Sequence, residues 1–233
     1  MTGMVFVNGD GIAVIDDQFK NYTLRSQGSV TSSADPASSS GRGRLQVTVN
    51  GDNPIIAFRS SNGVVMAART QSGTSFTFHG YTEVATQQVQ YYVFDEPIVL
   101  SSTWGGQVFS AAGKLVFDAL AKYMRVVDLV AIDVGSTGST ADRNYEGSKF
   151  YACAQMVPGL RWTAVSGPTG PGTPGQVITQ HNKFAAFGRA SQGSATFKSL
   201  VTYSYTTTSQ QNAPDIDTGA TQGLFLVLDV SNF

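Results

Sequence analysis

Apolar residues in this chain fall in short runs closed by Gly, Asn, Asp or Pro, and no window carries a sustained 3.6-residue apolar stripe. The best helical candidate, residues 118–123, is one or two turns long. Val5-Phe6-Val7, the turn Asn8-Gly9 and the run Ile12 to Ile15 read as strand, tight turn and strand, because Asn and Gly both tolerate positive φ. Further runs lie at residues 22–31, 45–49, 55–58, 64–67, 76–79 and 91–95. Others follow at 108–109, 115–118, 124–130, 150–156, 160–165, 184–187, 200–205 and 224–230. Val47 and Val49 alternate with Gln46 and Thr48, the period of a half-buried strand. The spacing predicts an all-β chain: a β-sandwich of short antiparallel strands with long Gly/Ser-rich loops and very little helix.

One phrase occurs twice. Gly11-Ile-Ala-Val14-Ile15-Asp16 is followed by Lys20 and Tyr22, and Gly113-Lys-Leu-Val116-Phe117-Asp118 is followed by Lys122 and Tyr123. Each copy is a turn glycine feeding a β-branched or aromatic run that ends on aspartate, the form of a hairpin's returning strand. Neither holds a nucleophile, a metal-ligand set or a phosphate cradle, so the repeat points to scaffolding and assembly. The polar stretch 135–147 suggests two β units, 1–135 and 136–233, either separate or sharing one core.

With 15 Lys and Arg against 16 Asp and Glu, no cationic excess is available to neutralise phosphates, which argues against nucleic acid as a partner. Charged residues are 13% of the chain, and Gly, Ser, Thr, Asn and Gln fill the surface instead. Cys153 is the only cysteine, which excludes an internal disulfide, and its apolar neighbours predict a buried structural thiol. The first residues lack a basic segment and a long apolar one, and no apolar run is long enough to span a membrane. These features predict cytoplasmic synthesis without a signal peptide and no membrane insertion.

Catalytic patterns are sparse. His79 ends a strand and His181 lies in a polar segment, neither with metal-ligand spacing around it. Asp16-Asp17 and Asp95-Glu96 are adjacent strand residues that point to opposite faces and do not make a glycosidase dyad. Asp215 and Asp217, with Thr218, could offer oxygens to calcium, although the rest of a calcium loop is missing. No cofactor, metal or catalytic residue is expected. Arg42 and Arg44, in a Ser/Gly loop, are candidates for an acidic partner against the default of solvated charge. Tyr81, Trp104 and Trp162 are candidates for a protein interface or a sugar-stacking platform. Alternation places Tyr91 and Tyr92 on opposite faces, so at most one should lie in the core.

Residues 7–22, VNGDGIAVIDDQFKNY, followed by Leu24 and Gly28-Ser-Val30, resemble the start of small tail-associated virion proteins of long-tailed, siphovirus-like bacteriophages. There a G-x-x-V-I-D strand leads into an N-Y-x-L-x-x-x-G-x-V stretch. Gly113 to Asp118 with Tyr123-Met-Arg125 is similar to a second phrase of that group, and Leu226-Val-Leu-Asp229-Val230 to its closing strand. The resemblance implies a non-enzymatic virion component of the tail tip or baseplate. Its partners would be other tail proteins, a symmetric homo-oligomer of itself and, as an extension, a host surface receptor. The alternative is a receptor- or glycan-binding adhesin module. A third reading, an enzyme acting on host polysaccharide, would require two carboxyls opposed across a cleft.

Overall fold

The computed structural model describes residues 5–7, 13–16, 21–36, 41–98, 105–135, 139–168, 177–209 and 216–233. Its described residues form strands and turns with no helix, as the punctuated runs predict, so none is long and apolar enough to cross a membrane. Two antiparallel sheets of six and nine strands hold most of the described residues, and two further two-stranded hairpins stand one before each half.

The first half contains the hairpin β1 (Val5–Val7) and β2 (Ala13–Asp16), then β3 (Thr23–Thr31), the short β4 (Ser33–Ala34) and β5 (Gly43–Asn50). It continues with β6 (Ile55–Arg59), β7 (Val64–Ser72), β8 (Ser75–Thr82) and β9 (Gln88–Asp95). The second half opens with the hairpin β10 (Gln107–Phe109) and β11 (Leu115–Asp118), then β12 (Val126–Asp133), β13 (Thr140–Asn144) and β14 (Tyr151–Val157). After these come β15 (Leu160–Pro168), β16 (Val177–Ala190), β17 (Ser194–Ser209), β18 (Ile216–Gly219) and β19 (Gln222–Asp229).

The same pairing diagram is drawn twice. β3–β9, β6–β9, β5–β8 and β7–β8 in the first half correspond to β12–β19, β14–β19, β13–β17 and β16–β17 in the second, all antiparallel. The leading hairpins share even their irregularity. Val5↔Asp16 and Phe6↔Ile15 precede a bulge in one, and Gln107↔Asp118 and Val108↔Phe117 precede a bulge in the other. The twice-written phrase is thus the returning strand of two matching bulged hairpins. Less visible echoes follow from the alignment. Ser72-Gly-Thr-Ser75-Phe-Thr-Phe78 matches Ser191-Gln-Gly-Ser194-Ala-Thr-Phe197, and Val93-Phe94-Asp95 matches Val227-Leu228-Asp229. In both of the former turns a glycine at positive φ, Gly73 at 60° and Gly193 at 70°, makes the reversal.

The halves are fused through their sheets. β6 pairs with β14 through Phe58↔Cys153, and β7 pairs with β16 through Val64↔Gly188. The first register sets Ala57 opposite Ala154, two fully buried and equivalent alanines, so a local two-fold axis passes between them. The segments after the hairpins also meet: Leu24 N donates to Lys122 O (2.7 Å) and Met124 N to Tyr22 O (2.8 Å). The division expected at 135 falls between β12 and β13, both of which pair with strands of the second half.

Each half has its own core between the sheets. Phe58, Val89 and Val93 meet Leu45, Val47, Phe76 and Phe78 in the first, while Tyr151, Phe225 and Val227 meet Phe184 and Phe197 in the second. A third cluster lies on the outer face of the six-stranded sheet and joins both halves, with Ala57, Tyr92, Phe94, Ala154 and Leu228 under Tyr22, Met124 and Phe233. This outer cluster explains how the expectation for Tyr91 and Tyr92 is met, with Tyr92 the one in the core. They do face opposite sides, but both sides are covered, so Tyr92 is buried and Tyr91 packs against the inner core. Cys153 is fully enclosed, and burial pushes its thiol up, as expected of a structural cysteine.

Candidate functional site: a cationic and aromatic cleft at the junction

The second half departs from the first by extension. β16 and β17 are 14 and 16 residues long where β7 and β8 are 9 and 8, and β15 and β18 pair onto the surplus. The added ribbon stands beside the ends of β5 and β8, and a cleft of about 230 Å³ opens between them. Asp35, Arg42, Arg44, Tyr81, Trp162, Lys183 and Thr202 line it.

Register explains the arrangement. Arg44 pairs with Tyr81 across β5 and β8, and Trp162 pairs with Lys183 across β15 and β16. Directly opposed strand residues share a face, so each half supplies one cation beside one aromatic ring. Four of the five residues singled out from sequence, Arg42, Arg44, Tyr81 and Trp162, therefore come together, although they span both halves. Trp104 lies outside the described residues, as does Asp215.

The expectation of solvated charge fails for Arg42. Its side chain is buried, and Nη1 donates to Glu83 O (3.2 Å) and Nη2 to Val201 O (2.9 Å), tying the first half to the extended β17. The guanidinium also lies 5.0 Å over the Phe187 ring. Burial lowers its proton affinity, and nearby Glu83 partly restores it, so Arg42 remains a fixed cation. Glu83 is held by Lys198 and by Gly63 N–H at 3.0 Å; burial pulls its carboxyl up, but these partners and Arg42 outweigh it and leave it below the usual range. Arg44 remains half-exposed, and its Nε meets the buried Asp35 carboxylate at 2.7 Å. Arg44 thus has one acidic partner within the chain.

Two polar groups of the cleft keep their capacity. Lys183 Nζ and the Tyr81 hydroxyl make no hydrogen bond or ion pair with the described residues, whereas Thr202 Oγ1 donates to Lys183 O (2.9 Å). Among the described lining residues, three cations against one carboxylate give a local excess of two positive charges in a chain with a formal net charge of −1. The Trp162 ring, tilted at 53° to His181 with centroids 6.4 Å apart, supplies an apolar wall. Lys183, Asp35 and Thr202 escape sequence reading because only the pairing register brings them to Trp162 and Arg44.

The other candidates go elsewhere. Asp95 is fully buried at the end of β9 and accepts the N–H groups of Asp52 (2.7 Å), Asn53 (2.9 Å) and Glu96 (2.8 Å), so it organises the β5–β6 turn. Asp217 forms a two-point ion pair with Arg161, Nε–Oδ1 at 2.6 Å, and is committed there rather than poised for calcium. His79 Nε2 lies 3.4 Å from Thr70 Oγ1, and His181 Nε2 lies 3.1 Å from Thr207 Oγ1. Among the described residues no three His, Cys, Asp or Glu side chains gather as a metal-binding group.

A second surface is apolar. β12 ends the six-stranded sheet, and Val126, Val127 and Leu129 on it are 48%, 46% and 57% exposed. Its counterpart at the opposite edge, β3, exposes Ser26, Gln27, Ser29 and Thr31. Comparison with protein-family models, curated proteins and solved structures finds no match to this chain.

Proposed function

We propose that the chain is a non-catalytic structural component of a phage virion, part of the tail tip or baseplate, that assembles with other tail proteins. The observation that carries this reading is the asymmetry of the two sheet edges. Equivalent strands of a repeated unit would share their surface chemistry if both faced water, yet β12 bears Val126, Val127 and Leu129 where β3 bears hydroxyls and amides. An eight-residue edge strand with an apolar flank invites another strand or subunit, and Asp128 Oδ1, which accepts from Leu129 N–H at 2.8 Å, covers only part of its open side among the described residues. The two-sheet scaffold, the low charge and the absence of a cysteine pair also suit a protein built in a cytoplasm and carried out within a particle.

Cross-linking of intact particles followed by mass spectrometry tests the reading directly. Cross-links from residues flanking β12 to another tail protein or to a second copy support it; a chain missing from purified particles contradicts it. In the isolated protein, Leu129→Asp with Val127→Lys should abolish self-association or tail-protein capture while leaving the far-ultraviolet spectrum unchanged.

A further inference from the structure

The junction cleft has the composition of a ligand site, independently of where the protein resides. We propose that it binds a single carboxylate-bearing pyranose, a uronic-acid-type sugar residue, with the carboxylate at Lys183 and Arg44 and a ring face on Trp162.

The argument is chemical complementarity. Its volume of about 230 Å³ lies below the ~300–1,000 Å³ of sites for drug-sized molecules, which suits one sugar ring and not an extended oligomer. The apolar C–H face of a pyranose stacks on an aromatic ring, and Trp162 provides one at the wall while Tyr81 provides another beside Arg44. Ring hydroxyls need both donors and acceptors; the Tyr81 hydroxyl, Thr202 Oγ1 and the Asp35 carboxylate are at hand. A negative group is drawn by Lys183 Nζ, which has no partner among the described residues, and by the exposed part of Arg44. Arg42 adds a buried positive charge that is fixed by two carbonyls and so costs no ordering on binding. Asp35 selects among anions. A dianionic phosphate would meet its carboxylate as a like charge, whereas a sugar monoanion can place a hydroxyl there and its charge at the lysine.

The site is also conditional on the fused fold. Trp162 and Lys183 stand on the extended ribbon of the second half, while Arg44 and Tyr81 stand on the first. The pairing of β7 with β16 and the Arg42 bond to Val201 hold the two walls in place.

The test follows the Trp162 indole N–H by NMR in the full chain, assigned with a Trp162→Phe variant, during titration with methyl glucuronide, methyl glucoside, inorganic phosphate and N-acetylglutamate amide. Calorimetric titration serves for the variant that lacks this indole. The expected result is a saturable shift with the glucuronide and binding about tenfold weaker for the neutral glucoside, since a charge-assisted hydrogen bond is lost. Lys183→Gln should erase that preference while keeping glucoside binding, and Trp162→Ala should lose both sugars with an unchanged far-ultraviolet spectrum. Added salt should weaken the glucuronide and leave the glucoside alone. No saturable shift with the glucuronide overturns the proposal, as does equal affinity for the two sugars. Phosphate or the acetylglutamate binding as tightly as the glucuronide would reassign the cleft to a bare anion or an acidic peptide side chain.

Discussion

At the scale of single residues, the aspartates that close the two repeated units show how one position serves two local structures. Asp95 spends its carboxylate on three backbone donors of the β5–β6 turn and its own strand end. Gly51 makes this possible, because a Cβ there would stand 2.1 Å from Asp95 Oδ2. The three donors belong to exposed or half-buried residues that water can reach in part, so Asp95→Ala should lower stability by ~1–3 kcal/mol in urea unfolding. Gly51→Ala should displace the same carboxylate and destabilise in the same direction. Asp229, its equivalent, instead accepts from Ser231 N at 3.0 Å and Oγ at 2.7 Å, with Arg125 and Lys149 at 3.7 and 3.8 Å. Burial pulls this carboxyl up, but the Ser231 bonds and the two cations prevail and hold it below the ordinary range. A depressed carboxyl contributes stability that is present above the unfolded value of ~3.9 and is lost as pH falls through the folded value. Melting temperature should therefore drop on acidification below about pH 4, and Asp229→Asn should flatten that part of the profile.

At the scale of elements, the strand runs were legible because Gly, Asn and Pro mark their ends and alternation marks their faces. The hairpin phrase was legible for the same reason. Three things were not. The match between residues 72–78 and 191–197 is diluted by ordinary strand residues and emerges only when β7–β8 is laid on β16–β17. Arg42 looked like a loop cation because its carbonyl acceptors, Glu83 O and Val201 O, are far off in sequence. The cover over Tyr92 is the third, because nothing local announces that Phe233, with ring centroids 6.4 Å away, lies on the outer face of its sheet. Phe233 also meets Phe94 at 5.6 Å with the rings tilted by 58° and lies under Arg125, so Phe233→Ala should destabilise by somewhat less than the ~3–5 kcal/mol of a fully buried Phe→Ala change. Calorimetry of that variant checks how much the outer layer contributes. At the β16–β17 turn, Gly193→Ala should cost ~1–2 kcal/mol for a side chain forced to positive φ.

At the scale of the whole molecule, the fold is one strand diagram used twice and joined edge to edge, with the apolar edge and the junction cleft as the places where the copies differ. Joining removes two of the four edges that separate three-stranded sheets of one kind would leave open, and it buries Ala57 and Ala154 at the seam. Small side chains there let the outer cluster of Tyr22, Met124 and Phe233 settle on the sheet centre. The cleft inherits its geometry from this union, since it takes its walls from different halves, whereas the apolar edge β12 lies at the far end of the second half's three strands. Amide hydrogen exchange of the full chain, resolved by residue, probes the seam itself. The fused sheet predicts that β6 and β14 exchange as interior strands, with slow amides facing both neighbours from Ile56 to Phe58 and from Ala152 to Gln155. If every second amide in these two strands exchanged at the rate of the open edges β3 and β12, the halves would be separate sandwiches and the account would be wrong.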